Sequence, residues 1–481
     1  MTRKGLGESP RPLPFVRLLE LIGLVFVGTV VVVAQTAETV KRITWDDVAP
    51  IRAHLAKHQI TATTFASYVD RTHDEDAKRV RLGDLDHLIF YILQSRQFTK
   101  LPTIEPALSA KALVDAVDEK TRQAYLRGEV GLDVAAPRTA IERIEAYVLS
   151  LNKPATDART IFFRDLVTAN FPSKADRRAA LTQEYLRVMR FVYEKEFVAQ
   201  RAKTPADAVA ELYRSRGLST DTAVEAGFIV YNGLGIASGL DPDRRIRRVL
   251  IVGPGLDLAP RTALLEDAPP QSYQPWAVLD ALAVLKMSEL SAIEIVGADI
   301  NARVVDHLMR SRANVPQLRL TSELRESDDV TISGEFREYF GLLGKAIGEP
   351  ETVQMLQGHL TKSVRVSTTA SQTVSGQSLD IVTDRLEGKP FDLVIATNIL
   401  PYFDDAQLGL ALTNIAAMLA PGGLFLHNER RPIIGDLGEL LGLKFEQARY
   451  VTIATIRNGP PLFDSVFLHR KTPAPGLPPA R

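Results

Sequence analysis

The stretch Arg248-Val-Leu-Ile-Val-Gly-Pro-Gly-Leu-Asp257 decides the fold. Its apolar run from Val249 to Val252 leads directly into Gly253-Pro254-Gly255. An uninterrupted apolar run of this length reads as a strand buried on both faces, as in a parallel sheet. The turn after it carries little side-chain bulk, so a ligand can press against bare backbone amides. Further along, Ile293-Glu-Ile-Val-Gly-Ala-Asp299 reads as a second strand with a carboxylate at its tip. In an open α/β sheet, ligands of nucleotide type sit at strand tips beside the switch in strand order. A glycine turn followed by an acidic tip therefore predicts a bound adenosine moiety and an enzyme.

Working outward, strand-like runs alternate with helical stretches from Arg247 to the end. The runs are Val249–Val252, Ile293–Gly297, Leu379–Val382, Leu393–Ala396, Leu424–Leu426, Val451–Ile456 and Ser465–Leu468. This alternation predicts a doubly wound, mostly parallel, seven-stranded Rossmann-like sheet in an α/β domain spanning residues 241–471. The last two runs, joined through Asn458-Gly-Pro-Pro461, predict a closing hairpin with one antiparallel strand. Residues 322–377 break the alternation with helical patterns at Phe336–Ala346 and Thr352–Leu360, and read as an insertion.

Before the sheet, residues 35–240 read as an all-α domain. Leu85–Leu93, Ile141–Leu149 and Leu181–Phe197 repeat apolar residues at three- and four-residue spacing. Pro102, Pro106, Pro137, Pro154 and Pro172 punctuate them. Ala223–Ala237 reads either as a helix leading to the glycine turn or as a loop over it. At the start, Arg3, Lys4, Arg11 and Arg17 precede an apolar run from Leu21 to Val33, and small residues precede Gln35. Residues 1–34 thus read as a signal peptide or a membrane anchor, which predicts an exported, periplasmic or secreted, or membrane-anchored protein. A true start near Val40 would instead make it cytoplasmic. The proline-rich residues 472–481 read as a disordered tail.

Composition narrows the function classes. The 481 residues are too many for one ordinary core. Apolar content of 45% and charged content of 24% are those of a globular protein. Lys plus Arg equals Asp plus Glu at 58 each, which speaks against a nucleic-acid surface. The absence of cysteine removes thiolate metal sites, disulfides and a Cys nucleophile.

Two further stretches complete a pattern: Phe391-Asp-Leu-Val-Ile-Ala-Thr-Asn-Ile-Leu-Pro-Tyr-Phe403 and Leu419-Ala-Pro-Gly-Gly-Leu-Phe-Leu426. With the glycine turn and Asp299, they give the chain over Arg247–Arg470 a resemblance to class I S-adenosylmethionine-dependent methyltransferases. Thr397–Asp404 and Asp299-Ile-Asn301 are similar to the chemotaxis-receptor methyltransferases in particular. The resemblance implies S-adenosyl-L-methionine as cofactor, and methyl transfer to a carboxylate or hydroxyl oxygen, or another nucleophile, of a small molecule or protein. It assigns Gly253 and Gly255 to the amino-acid end of the cofactor, Asp299 to the ribose, Ile300 beside it, and Asp384 to the adenine amino group. Asn398 and Tyr402 are the candidate catalytic residues on the methyl side, with Asn398 also touching cofactor. Methyl transfer from a sulfonium is an in-line displacement, so such an enzyme mainly positions two partners and excludes water.

Two departures stand out. Ile251 occupies a position that is usually acidic in the family, although aminopropyl-transferring relatives also have an apolar residue there. Leu256-Asp257 replaces the usual third glycine, so Asp257 either supplies the missing charge or blocks the site. The second reading is therefore an exported binding or scaffold protein that keeps the fold without turnover. Outside this set, His73-Asp-Glu-Asp76 reads as a metal site or a solvated loop, His427 or Glu429 as a base or loop hydrogen-bonding residues, and Tyr273-Gln-Pro-Trp276 as a lid or a packed connection.

Overall fold

The computed structural model describes residues 38–127, 129, 136–199, 204–261, 265, 266 and 268–472. The expected signal or anchor at 1–34 and the tail from 473 lie outside them. The chain divides into the units Met1–Ala37 and Glu38–Arg481, and all that follows concerns the second. Among the described residues no helix is long and apolar enough to cross a membrane.

The strands, in chain order, are β1 (Thr39–Arg42), β2 (Arg248–Val252), β3 (Glu294–Asp299), β4 (Gln317–Thr321), β5 (Val330–Ile332), β6 (Gly348–Glu351) and β7 (Thr361–Val366). They continue with β8 (Val374–Ser378), β9 (Asp384–Glu387), β10 (Phe391–Ala396), β11 (Leu419–His427), β12 (Leu443–Ile456) and β13 (Leu462–Lys471). The principal sheet has the order β5-β12-β13-β11-β10-β2-β3-β8. Pairings from β11 through β8 are parallel, while β13 runs antiparallel to both β11 and β12. The chain leaves β2 for β3 and β8 on one side, then returns to β10 and β11 on the other. This reversal is the switch point of a doubly wound α/β sheet, and it opens a crevice at the tips of β2 and β10.

Alternation along β2 shows why this strand sits at the centre. Val249 and Ile251 enter one hydrophobic cluster, Leu250 and Val252 the other, and all are at most 4% exposed. Burial of each such side chain contributes about 1.5–3 kcal/mol. The first cluster also takes in helices Phe65–Gln94, Arg177–Tyr193 and Val224–Leu240, so the N-terminal helices and the sheet share one core. The second is closed by helix Asp405–Met418 and the short helix Arg52–Lys57.

Four expectations are corrected. The sheet has eight strands, because β5, from within the expected insertion, adds antiparallel to the edge of β12. Leu379–Val382 is not a strand; the third parallel strand on this side is the more polar β8. Asp380 instead folds the run into a turn, its carboxylate accepting from Val382 N at 3.0 Å and its carbonyl from Asp384 N at 2.7 Å. Asn414 Nδ2 holds the carbonyls of Ile381 and Val382, so their apolar side chains fill the second cluster without joining a ladder. Thr352–Leu360 is a loop with Gly358 at φ +81°, and β4, β7 and β6 form a separate three-stranded antiparallel sheet. Finally, the stretch expected to be all helical begins with a strand, β1, which pairs antiparallel with β9.

Candidate functional site

The β2 tip turns sharply. Gly253 and Gly255 adopt φ values of +65° and +74°, a region that disfavours any side chain. A Cβ on Gly253 would lie 2.5 Å from Ile399 Cγ2, and one on Gly255 would lie 2.7 Å from the Thr220 carbonyl oxygen. Gly253 N–H donates to the Ala298 carbonyl at 2.8 Å, which ties the turn to the end of β3. Asp299, at that end, is 6% exposed and accepts from Asn301 N at 2.8 Å. Burial raises the Asp299 carboxyl to about 6, partly offset by the backbone N–H groups of Asn301 and Gly255. Asn301 in turn caps helix Ala302–Ala313 by accepting from Arg303 N.

Two adjoining cavities lie over these tips. The first, about 590 Å³, is lined by Val252, Gly253, Asp299, Ile300, Asp380 and Ile381, among others. The second, about 850 Å³, is lined by Gly253, Gly255, Asp221, Arg261, Thr397 and Asn398, among others. Thr220, Gly253, Ile399 and Tyr402 border both. The structure thus brings together Gly253, Gly255, Asp299, Ile300, Asn398 and Tyr402.

It does not bring Asp257 or Asp384 to either cavity. Asp257 pairs its backbone N–H with Gln271 and lines a further space of about 390 Å³ with Tyr273, Arg319 and Glu323, which adjoins the second cavity at Glu323. Its side chain therefore does not block the turn. Burial, with Glu323 and Asp221 nearby, raises the Asp257 carboxyl well above its ordinary range, and its Oδ1 has no hydrogen-bond partner. Asp384 begins β9, pairs with Arg42 at 3.2 Å and accepts from Thr383 Oγ1. The carboxylate that reaches the first cavity is Asp380, brought there by the turn that replaces the expected strand.

The opposite wall of the cavities comes from far upstream. Helix Phe65–Gln94 contributes Asp76, 1% exposed, whose carboxyl is raised to about 7 by burial and by Asp380, against the pull of Arg79. Arg79 donates to the carbonyls of Tyr213, Arg216 and Tyr402. Segment Leu218–Ala223 is fixed to the same helix where Gly83 meets Gly217: a Cβ on Gly83 would stand 2.1 Å from Leu218 O. Thr220 then binds Leu256 twice, its carbonyl accepting from Leu256 N at 3.0 Å and its hydroxyl donating to the Leu256 carbonyl at 2.8 Å. Asp84 completes the wall by accepting from Asn301 Nδ2 and from Arg303 Nη2.

Charges concentrate in the second cavity. Arg216, 4% exposed, donates to Asp86 at 3.1 Å and to the Tyr402 hydroxyl at 3.4 Å. Asp221 sits 3.7 Å from Arg216 and 3.6 Å from Arg261. Burial opposes its ionisation, but the two guanidiniums outweigh burial and hold its carboxyl well below the usual range. Arg261 Nε and Arg216 Nη2 nevertheless have no hydrogen-bond partner. Burial raises the Tyr402 hydroxyl, with Arg216 opposing, so it stays protonated at neutral pH. Asn398 takes φ +61° and is held there by Asn428, whose Oδ1 accepts from Asn398 N at 2.9 Å and whose Nδ2 donates to Asn398 Oδ1 at 2.7 Å.

The remaining candidates have structural partners. His427 is 1% exposed among Phe425, Phe467 and His469, accepts from Glu429 N, and is driven well below its ordinary pKa by burial. Glu429 pairs with Arg431 at 3.1 Å. Tyr273 and Trp276 are core residues, 2% and 1% exposed, so the expected lid is a packed connection. His73 faces Asp380 at 3.2 Å and Asp384 at 3.9 Å, across the chain from its own neighbours in sequence. Arg79, Asp221, Arg261 and Asp380 carried no local sequence signal, because each is placed largely by contacts remote in the chain, while Asp76, expected with His73 in a metal site or a solvated loop, lies on helix Phe65–Gln94.

No protein-family model and no curated protein matches this sequence. Among solved structures, it is similar to N-methyltransferase NodS from Bradyrhizobium japonicum WM9 in complex with S-adenosyl-L-homocysteine, at 12% identity, covering 55% of this chain and 98% of that one, with a TM-score of 0.27. It is also similar to magnesium protoporphyrin IX methyltransferase ChlM from Synechocystis PCC 6803 with bound S-adenosylmethionine, at 9% identity, 56% and 99% coverage, and a TM-score of 0.28. A third is the CurJ carbon methyltransferase, at 14% identity, 89% and 99% coverage, and a TM-score of 0.28. TM-scores this low leave the strand order and the cavities to carry the functional reading.

Proposed function

We propose that the crevice at the tips of β2, β3 and β10 binds S-adenosyl-L-methionine and that the protein transfers its methyl group to an oxygen of an acceptor. One observation carries this reading. The bare backbone of Gly253, the buried carboxylate of Asp299, Ile300 and Asp380 line one cavity at a topological switch point. When bound there, the cofactor supplies an already activated methyl group.

The residues fit such a ligand. Asp299 accepts the ribose hydroxyls, Ile300 and Ile381 face the purine, and Asp380 accepts from its amino group. In the second cavity Asp221 is set to hold an ammonium. Arg261, whose guanidinium lies 3.6 Å from Asp221, suits a carboxylate, and the backbone at Gly253 and Gly255 admits the intervening chain. Tyr402 stands where the two cavities meet and Asn398 lines the second, and together they position the reacting ends. Helix Phe65–Gln94 and segment Leu218–Ala223 exclude water from above. The proposal includes export or anchoring through residues 1–34.

Calorimetric titration of the full chain with S-adenosyl-L-homocysteine tests the reading. Micromolar binding is expected, with at least a hundredfold loss in Asp299→Ala, whose removal deletes two charge-assisted hydrogen bonds of about 1.5–3 kcal/mol each. A folded protein that binds neither this ligand nor S-adenosylmethionine would support the scaffold reading.

A further inference from the structure

A third cavity, about 860 Å³, opens beside the second and shares Tyr213 and Asn398 with it. Its other walls include Asn428, Arg430, Phe463 and Asp464. It therefore begins where the methyl group would end, and it lies at the tips of β10 and β11 and the start of β13.

The hydrogen bonding of Asp464 is uneven. Its Oδ1 accepts from Ser465 N at 2.7 Å and from Arg430 Nη2 at 3.4 Å. Its Oδ2 has one long contact, from Asn428 Nδ2 at 3.4 Å. Because a carboxylate oxygen has two acceptor directions, Oδ2 keeps capacity that neighbouring groups do not use. Loss of water around Asp464 raises its carboxyl above the ordinary range. The chain Asn398–Asn428–Asp464 links this oxygen to the loop that borders the second cavity.

The same cavity offers little to an anion. Arg430, the one cation in its wall among the described residues, is already engaged in part: its Nε donates to Ser465 Oγ at 2.8 Å, its Nη2 to Asp464, and its guanidinium lies 4.9 Å from the Phe463 ring centroid. Glu429, also in the wall, adds a second carboxylate. Tyr213 and Phe463 supply aromatic surface.

Building on the methyl-transfer reading, we propose that this cavity holds a small aryl hydroxyl compound and that Asp464 Oδ2 takes its proton. As the acceptor O–H proton passes to Asp464, the oxygen lone pair forms the new bond to the methyl carbon. The sulfur–methyl bond breaks, and its electron pair stays on sulfur, which loses its positive charge. No further reactant is needed. A carboxylate acceptor would need no base and would meet Asp464 as a like charge.

Phenol and benzoate serve as probes, measured by saturation-transfer NMR on the full chain loaded with S-adenosyl-L-homocysteine. Phenol is expected to bind more tightly than benzoate, and Asp464→Asn to weaken phenol by about tenfold. Asp464→Asn should leave S-adenosyl-L-homocysteine affinity unchanged, since Asp464 lines neither cofactor cavity, and this also reports that the variant folds. With labelled S-adenosylmethionine, label is expected on aryl hydroxyls and not on aryl carboxylates. Benzoate binding as well as phenol, phenol failing to bind, phenol affinity indifferent to Asp464→Asn, or label on carboxylates would each overturn the proposal. Failure of S-adenosyl-L-homocysteine itself to bind would strike the earlier reading instead.

Discussion

The two walls of the crevice are built by opposite means. The lower wall is a sheet edge: β2, β3 and β10 hold Gly253 and Asp299 through ladder pairs between adjacent parallel strands. The upper wall is an assembly of helix Phe65–Gln94 and segment Leu218–Ala223, held by ion pairs, a glycine contact and hydrogen bonds between remote parts of the chain. A ladder spreads its stabilisation over many equivalent bonds. The upper wall depends on a few buried charges, each of which is expensive to leave alone. The lower wall should therefore tolerate single changes that the upper wall does not.

The sharpest way to break this contrast is Arg216→Ala. Arg216 pairs with Asp86 and stands near Asp221, and all three side chains are at most 13% exposed. Its loss leaves Asp221 with Arg261 as its remaining cation and Asp86 with Arg187. The expected cost is about 3–5 kcal/mol, the range for a broken buried pair. Chemical denaturation should show this as a lower midpoint, and cofactor binding should weaken as the wall loosens. Unchanged stability would mean that the upper wall is not held by these charges.

The same contrast explains how far the sequence could be read. β2, its glycine turn and the acid ending β3 follow local rules of apolar run, positive-φ glycine and strand tip, so Gly253 and Asp299 were legible. The segment against Gly83 and the carbonyls that Arg79 holds lie more than a hundred residues away, and no periodicity announces them. Asp384 misled for a related reason. Leu379–Val382 has the composition of a buried strand, yet Asp380 caps it into a turn, so the carboxylate reaching the cavity is the one at 380. The true edge strand β8, Val-Ser-Gly-Gln-Ser, is too polar to announce itself. β5 was hidden inside a segment read as an insertion, which is why the sheet gained its eighth strand.

A pH titration probes the lower wall next. Asp299 must be ionised to accept both ribose hydroxyls with charge, and burial sets its carboxyl near 6. S-adenosyl-L-homocysteine affinity should be level above that value and fall by up to about tenfold per pH unit below it. Stability of the unliganded protein should move the other way. Asp299 and Asp76 both have carboxyls raised above 3.8, to about 6 and about 7. The folded state therefore binds more protons than the unfolded chain between these values, and their contribution is lost as pH rises through that window. Affinity that stays level down to pH values about one unit below 6 would show that Asp299 does not hold the ligand.

The smallest expected effect is the most discriminating for the glycine turn. Asp257 stands where a third glycine is common in proteins of this pattern, and its position in sequence left two roles open, a substitute charge or a plug. It lines the 390 Å³ cavity beside Glu323 and neither of the two cavities that border Gly253. Burial, with Glu323 beside it, raises its carboxyl well above the ordinary range. Asp257→Asn keeps the shape and takes away a group whose raised carboxyl costs stability at neutral pH, so stability should hold or rise, while ligand affinity has no contact to lose. Ligand affinity should stay within about 0.5 kcal/mol of the parent protein near neutral pH. A large gain in S-adenosyl-L-homocysteine affinity would instead identify residue 257 as a plug on the turn, and the lower wall would then owe its openness to a side chain as well as to its strands.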